Sequence, residues 1–238
     1  MEKRWVSLAL YPSYVSGTGK REGEPGIMSE TQEQCLLNEC ATPDRVEARR
    51  RQILAAASEC FCQCGFHAAS MDRIAKTAGM SVGHIYHYFR NKEAIIAAIV
   101  EQDLQYRLQK IALIEAGRKD GDIFAAITAS IGQGVDDLFE PYRAALLLEC
   151  MAEATRNSQV AALVQNADKI SRKGWQEVTH RGRNALGLAP DPYAEIRAEV
   201  ISAIFEGLSM RLVRNPGVNR EMLVDFLRNA VLRLLEIE

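Results

Sequence analysis

The stretch from Ile74 to Glu93 reads IAKTAGMSVGHIYHYFRNKE, and it decides the fold. Gly79, Met80 and Ser81 interrupt a helical pattern with a tight turn. Glycine takes a left-handed backbone at least cost. Val82 to Tyr88 then forms a short helix, with Ile85 and Phe89, four residues apart, as its inward side chains. Upstream, Ser70 caps a helix with Asp72 in its first turn and Met71, Ile74 and Ala75 on one face, ending near Gly79. Two short helices joined by so brief a turn make a helix-turn-helix.

Working outward, Thr42, Pro43 and Asp44 supply an N-cap, a first-turn proline and a first-turn acid for a preceding helix. That helix carries Val46, Ile53, Leu54, Ala57 and Phe61 and runs to about Cys64, where Gly65 stops it. On the other side Asn91 caps a long segment from Lys92 to about Glu115. Its Ile95, Ile96, Ile99, Val100, Leu104, Leu108, Ile111 and Leu113 recur on more than one face, so it is expected to be buried on two sides and to link two domains. Five further helices are expected at roughly 122 to 138, 141 to 156, 158 to 186, 192 to 214 and 219 to 237. Asp191 and Pro192 start the fourth of these, Asn215, Pro216 and Gly217 stop it, and Asn219 caps the last.

The expected architecture is all-α, about nine helices. A three-helix head over 42–92 is joined by the long helix to a C-terminal bundle over 93–238. Residues 1–41, with Pro12, Ser13, Ser16, Gly17, Gly19, Gly23, Pro25 and Gly26 and no helical or strand period, read as a disordered arm, inside which Met28 offers an alternative start of translation.

The chain has 238 residues, 25% charged and 47% hydrophobic, which sets aside disordered, collagen-like and membrane-spanning classes. Its 7 Pro and 16 Gly are too few for a linker-rich or all-β protein. The absence of a convincing signal peptide or membrane span points to a cytoplasmic protein. Six cysteines, three of them crowded into Cys60, Cys62 and Cys64, do not form a secreted disulfide framework and read as reduced thiols.

With 29 basic against 31 acidic residues the net charge is -2, so any contact with nucleic acid needs a local patch. One exists. From Thr42 to Glu93 the basic residues are Arg45, Arg49, Arg50, Arg51, Arg73, Lys76, Arg90 and Lys92, and the acids Asp44, Glu47, Glu59, Asp72 and Glu93, a local excess of three positive charges. The positive potential falls on the segment that holds the helix-turn-helix. Such a motif also serves proteins that never touch DNA, and tyrosines at helical spacing also serve as packing residues, so these residues alone leave both readings open.

The same stretch resembles the DNA-binding signature of the TetR/AcrR family of bacterial transcriptional regulators, and the likeness extends back through ILAAASECFCQCGFHAASMDRIA. Gly65-Phe66, Ile74-Ala75, Gly83, Tyr86, Tyr88-Phe89 and Lys92-Glu93 fall where that family has them. Two positions depart from the pattern or vary within it, Val82 and His84, and both bear on which operator is read. The resemblance implies a regulator of transcription, not an enzyme, acting as a dimer on a double-stranded DNA operator.

Physical roles follow for each candidate. Ser81 and Gly83 allow close approach of the backbone to DNA, and His84 and His87 are the base-reading candidates. Tyr86 and Tyr88 offer hydroxyls to phosphate, Lys92 a charge contact, and Ser70 and Arg73 hold the adjacent backbone. The last two helices carry more apolar surface than one core-facing stripe needs. Ile201, Phe205, Leu208, Leu223, Phe226, Leu227 and Val231 are therefore expected at a dimer interface, the place the family resemblance gives it.

Glu149 and Glu153 sit four apart in an apolar stretch. As interior charges they would need a partner, which either a basic side chain such as Arg143 or Arg156 or a cationic effector could supply. Trp175, His180 and Phe205 are candidates to line the same effector cavity, which the resemblance places in the C-terminal domain. As enzyme acids the two glutamates lack a partner base. No phosphate-cradling loop, nucleophile elbow or HExxH occurs, so neither catalysis nor a cofactor is expected. His84 and His87 could approach one metal ion but have no third ligand nearby, so no metal site is expected. Cys60 and Cys64 share a helical face while Cys62 is rotated away, which leaves core packing or a thiol redox sensor. The expected function is a dimeric repressor released from a palindromic operator by a small-molecule effector. The competing readings are a ligand-independent DNA-binding protein of the same fold and a redox sensor.

Overall fold

The computed structural model describes residues 43–117 and 122–235. The expected arm, Met28, the Thr42 cap and the last three residues lie outside them. Among the described residues there are nine helices and no strand: α1 Pro43–Ala68, α2 Met71–Ala78, α3 Val82–Tyr88, α4 Lys92–Ala116, α5 Ile123–Leu138, α6 Pro141–Ala154, α7 Ser158–Ala185, α8 Ala194–Arg214 and α9 Arg220–Leu234. The all-α architecture is the one expected. No helix among the described residues is long and apolar enough to cross a membrane.

Capping chemistry accounts for most boundaries. The Ser70, Ser81, Asn91 and Asn219 side chains each accept the amide three residues on, from Arg73, His84, Ala94 and Met222. Gly79 adopts φ 66° and ψ 34°, and Met80 N–H reaches back to the Ala75 carbonyl at 2.9 Å, closing α2 in a left-handed turn. Gly65 also has positive φ, 77°, but with ψ of 161°, a region open essentially to glycine alone. It does not end the helix at Cys64. The chain resumes one more turn, which buries Phe66 and brings Ala69 into the core. The other displaced boundary is at Asp191, whose Oδ1 accepts Tyr193 N–H at 2.9 Å and whose Oδ2 pairs with Arg197. That local turn delays α8 to Ala194, two residues beyond the expected start.

Two apolar cores are threaded by α4. The first gathers Ile53, Ala57, Phe61, Ile74, Ile85 and Phe89 of the head with Ile95, Ile96 and Ile99 of α4, and takes in Cys150 of α6 and Val160 of α7. The second joins Ile111 and Ile114 of α4 with Ile123, Phe124, Ile127, Ile131 and Val135 of α5, Val178 of α7, and Val224, Leu227 and Val231 of α9. Because the head's core is completed by α6 and α7, its attitude on the bundle is fixed by packing as well as by α4.

Candidate nucleic-acid interface and polar chamber

Ile85 and Phe89 anchor α3 as expected, both buried. The opposite side is open: Ser81, Gly83, His84, Tyr86 and His87 are exposed, with Tyr86 at 52%. A Cβ added at Gly83 would meet no atom within 4 Å, so nothing inside the chain requires a glycine there. The His84 ring stacks on Tyr88 at 5.4 Å, and His87 meets the same ring edge-on at 5.2 Å. Tyr88 is half-buried and orients both imidazoles. A residue not singled out in the sequence, Arg50 of α1, holds this platform from behind. Its guanidinium lies 4.6 Å from the centre of the Phe89 ring and donates to the Tyr88 carbonyl at 3.4 Å. Ser70 and Arg73 are exposed at the start of α2, beside the exposed Lys76, while Arg45, Arg49, Arg51 and Arg90 extend the positive surface.

Lys92 is placed differently from the expectation of a phosphate contact. Its ammonium donates to the carbonyls of Phe66 and His67, at 2.7 and 3.2 Å, and covers the Phe66 ring at 4.6 Å. It closes the orphan carbonyls at the end of α1, a task cations suit because the helix C-terminus is negative.

The five expected effector residues do not converge. Glu149 Oε2 accepts the Phe66 amide at 3.3 Å. Glu153, with a side chain 3% exposed, lies 3.1 Å from His67 Nε2, off the line of a well-formed hydrogen bond, and its Oε1 accepts Asn157 Nδ2 at 3.3 Å. Both carboxylates reach the end of α1, on which this α6 face packs, and Glu153 is also paired with Arg156, a basic partner expected from the sequence, at 3.9 Å. Trp175 and Phe205 pack against the second core, Phe205 beside Gly134 of α5. His180 is exposed and contacts only its own helix neighbour Asn184 among the bonds described.

A half-buried polar cluster, not singled out in the sequence, lies elsewhere. Asp103, Tyr106, Arg107 and Lys110 recur at i, i+3, i+4 and i+7 along one face of α4, which is the signal that could have found it. Tyr106 donates to Asp137 Oδ1 of α5 at 2.9 Å, and Lys110 pairs with the other oxygen of that carboxylate. Arg143 of α6 bonds Asp103 at 2.9 Å and stacks 4.3 Å from the centre of the Tyr106 ring, while Arg107 Nε takes the second Asp103 oxygen at 2.7 Å. Burial and the Asp137 hydrogen bond push the Tyr106 hydroxyl up to about 12. Glu206 of α8 faces Arg107 and Asp168, and desolvation raises its carboxyl. Helices α4, α5 and α6 therefore bring half-buried charges together at one place. A shallow groove of about 670 Å³ between α5 and α9, lined by Asp122, Phe124, Thr128, Arg228 and Leu232, includes none of the expected effector residues.

The expected dimer residues also divide. Leu227 and Val231, 3% and 4% exposed, belong to the chain's own core on the face set by Val224, so they are not available to a partner. Ile201, Phe205, Leu208 and Leu223 are half-buried against that core. Phe226 is 73% exposed, and Met222 on α9 and Ile196, Val200, Met210 and Val213 on α8 are also exposed apolar side chains of the last two helices.

Among the described residues no group of three metal ligands occurs. Burial, then the Glu149 charge, raises the Cys62 thiol to about 11, and burial, with nearby negative groups, raises Cys150 to about 12. Cys64 Sγ bonds the Cys60 carbonyl at 3.0 Å within its own helix, and Cys60 is buried. These are surroundings that suit packing more than thiolate chemistry.

Two family descriptions match this arrangement. Residues 53–99 match "Bacterial regulatory proteins, tetR family", and residues 125–236 match "BetI-type transcriptional repressor, C-terminal". The chain belongs to the TetR family. The HTH-type transcriptional regulator UidR of Escherichia coli K12 is 39% identical over 117 residues, 49% of this chain, and the match spans 57% of UidR's length. The HTH-type transcriptional repressor Rv1474c of Mycobacterium tuberculosis is 28% identical over 202 residues, covering 80% of this chain and 96% of that protein. Salmonella enterica GusR superposes with a TM-score of 0.66 at 27% identity, covering 82% and 98% of the two chains. The family and these relatives are regulators, not enzymes.

Proposed function

We propose that this TetR-family chain acts as a dimeric repressor that binds a palindromic DNA operator through α3 and releases it when a small polar effector enters the bundle. The observation that carries the DNA reading is the exposed face of α3, where His84, Tyr86 and His87 stand over a buried Ile85 and Phe89 in a positively charged surface. An α-helix so presented fits the major groove, with imidazoles to base edges and hydroxyls to phosphate. Repression is supported by the name of Rv1474c and by the family description matched by residues 125–236.

Dimerisation is supported by the apolar surface of α8 and α9. Two-fold symmetry would set two recognition helices about one DNA turn apart or a multiple of it. The division of labour is a DNA-binding head over 42–92 and an effector and dimerisation domain over 93–238. The effector site we favour is the half-buried cluster around Tyr106, where a polar ligand can exchange with the aspartates that hold Lys110 and Arg143. Binding one arrangement of the bundle more tightly than another would lower operator affinity by that differential free energy.

The test is an anisotropy titration of the full chain against a duplex from its own upstream region at two salt concentrations. Salt-sensitive binding, weakened across all sequences in Tyr86→Phe, is expected. Salt-insensitive binding, or none, would overturn the reading.

A further inference from the structure

The turn Gly65–Phe66–His67 feeds directly into Ser70, the cap of α2, and it is held from two sides. From α4, Lys92 takes the Phe66 and His67 carbonyls. From α6, Glu149 takes the Phe66 amide at 3.3 Å, and the buried Glu153 carboxylate faces the His67 ring at 3.1 Å. Leucine or alanine would serve packing at either α6 position without the desolvation that a carboxylate suffers there. Gly65 contributes as well, since its backbone brings the Phe66 amide to Glu149, whose Oε2 lies 3.5 Å from where a Cβ would stand. The same helix, α6, carries Arg143 into the polar cluster. From Arg143 to Glu153 is about 15 Å along one rigid rod.

Resting on the operator-binding dimer above, we propose that Glu149 and Glu153 are positioning residues that set the angle of the head on the bundle and thereby fix which half-site spacing the protein accepts. Lys92 holds the carbonyl side of the turn and Glu149 its amide side, over the apolar packing of Phe66. Contacts between α3 and bases are untouched by the pair, so the pair governs spacing and not base preference.

The experiment titrates the full chain against palindromic duplexes that share identical half-sites and differ in spacer by one or two base pairs either way. Wild type is expected to prefer one spacer by about tenfold or more, the size of a lost base contact or greater. Glu153→Gln and Glu149→Ala, the latter removing the acceptor of the Phe66 amide, should flatten that preference to within a few-fold, while the base preference within each half-site stays as in wild type. Because an altered buried residue can simply unfold, His67→Ala is the second probe. Its side chain is 70% exposed, it opposes Glu153 from the head side, and it should flatten the profile in the same way. A wild-type spacer profile in Glu153→Gln and His67→Ala would overturn the positioning role and leave operator binding standing. A wild type that binds every spacer equally, or none, would overturn the dimer reading together with it.

Discussion

The head and the bundle solve opposite problems. In the head, the interior is apolar and closed around Ile53, Phe61, Ile74, Ile85 and Phe89, and the polar groups lie outside on α3. In the bundle, Asp103, Tyr106, Lys110, Asp137 and Arg143 form a half-buried polar cluster beside the second apolar core, while Ile196, Val213, Met222 and Phe226 are exposed. A closed core with a polar exterior presents a surface of fixed shape to a rigid duplex. An apolar core flanked by a half-buried charged cluster, with apolar side chains left exposed on the last two helices, suits contact with a polar molecule and with another copy of the chain. The two regions meet at the Gly65–His67 turn, where α6 reaches the head.

Four substitutions break or sharpen this contrast. Ile85→Ala removes the anchor of the recognition helix from the closed core and should cost about 2–5 kcal/mol of stability in a denaturant titration followed by helical signal. A cost below about 1 kcal/mol would mean that the head is not the well-packed region described. Next comes Phe226→Asp, which should weaken self-association by about 2 kcal/mol in sedimentation while leaving helicity intact, since the residue is 73% exposed in its own chain. Unaltered association would move the dimer face away from α9.

Arg143→Met should lower stability by only about 1 kcal/mol, because Asp103 keeps Arg107 as a partner. Thermal unfolding checks it, and a loss as large as that of Ile85→Ala would make the cluster a structural network instead of a receptive site. The smallest effect is expected from Tyr86→Phe, about 1 kcal/mol of operator affinity spread evenly over sequences, as removal of a phosphate hydrogen bond requires. Sequence-dependent loss in that variant would turn Tyr86 into a base reader.

What the sequence made legible was local. Serine and asparagine caps, Gly79 and the 3.6-residue period placed α2, α3 and α4 almost to the residue, because each signal acts within one turn of the chain. Asp191 misled for a related reason, since its carboxylate closes a turn and binds Arg197 in place of capping a helix directly. Failures at the site were long-range. Periodicity correctly set Glu149 and Glu153 on one face, yet which body that face meets depends on how α6 docks against α1, and no spacing rule states that. Leu227 and Val231 were assigned to a partner because α9 is apolar on two sides, and only packing against α5 tells the inner side from the outer. Lys92 matched a family position, but three carbonyl and ring contacts from its own chain engage its ammonium.

The central claim is that α3 reads DNA with the face it leaves open. Selection of bound duplexes from genomic fragments, carried out in parallel with the wild-type chain and with His84→Ala and His87→Ala, tests it most directly. The account predicts an enriched palindrome whose base preference relaxes at symmetric positions in each histidine variant, at about 1–3 kcal/mol per position. Enrichment of no palindrome, or a palindrome read identically by all three proteins, would contradict it.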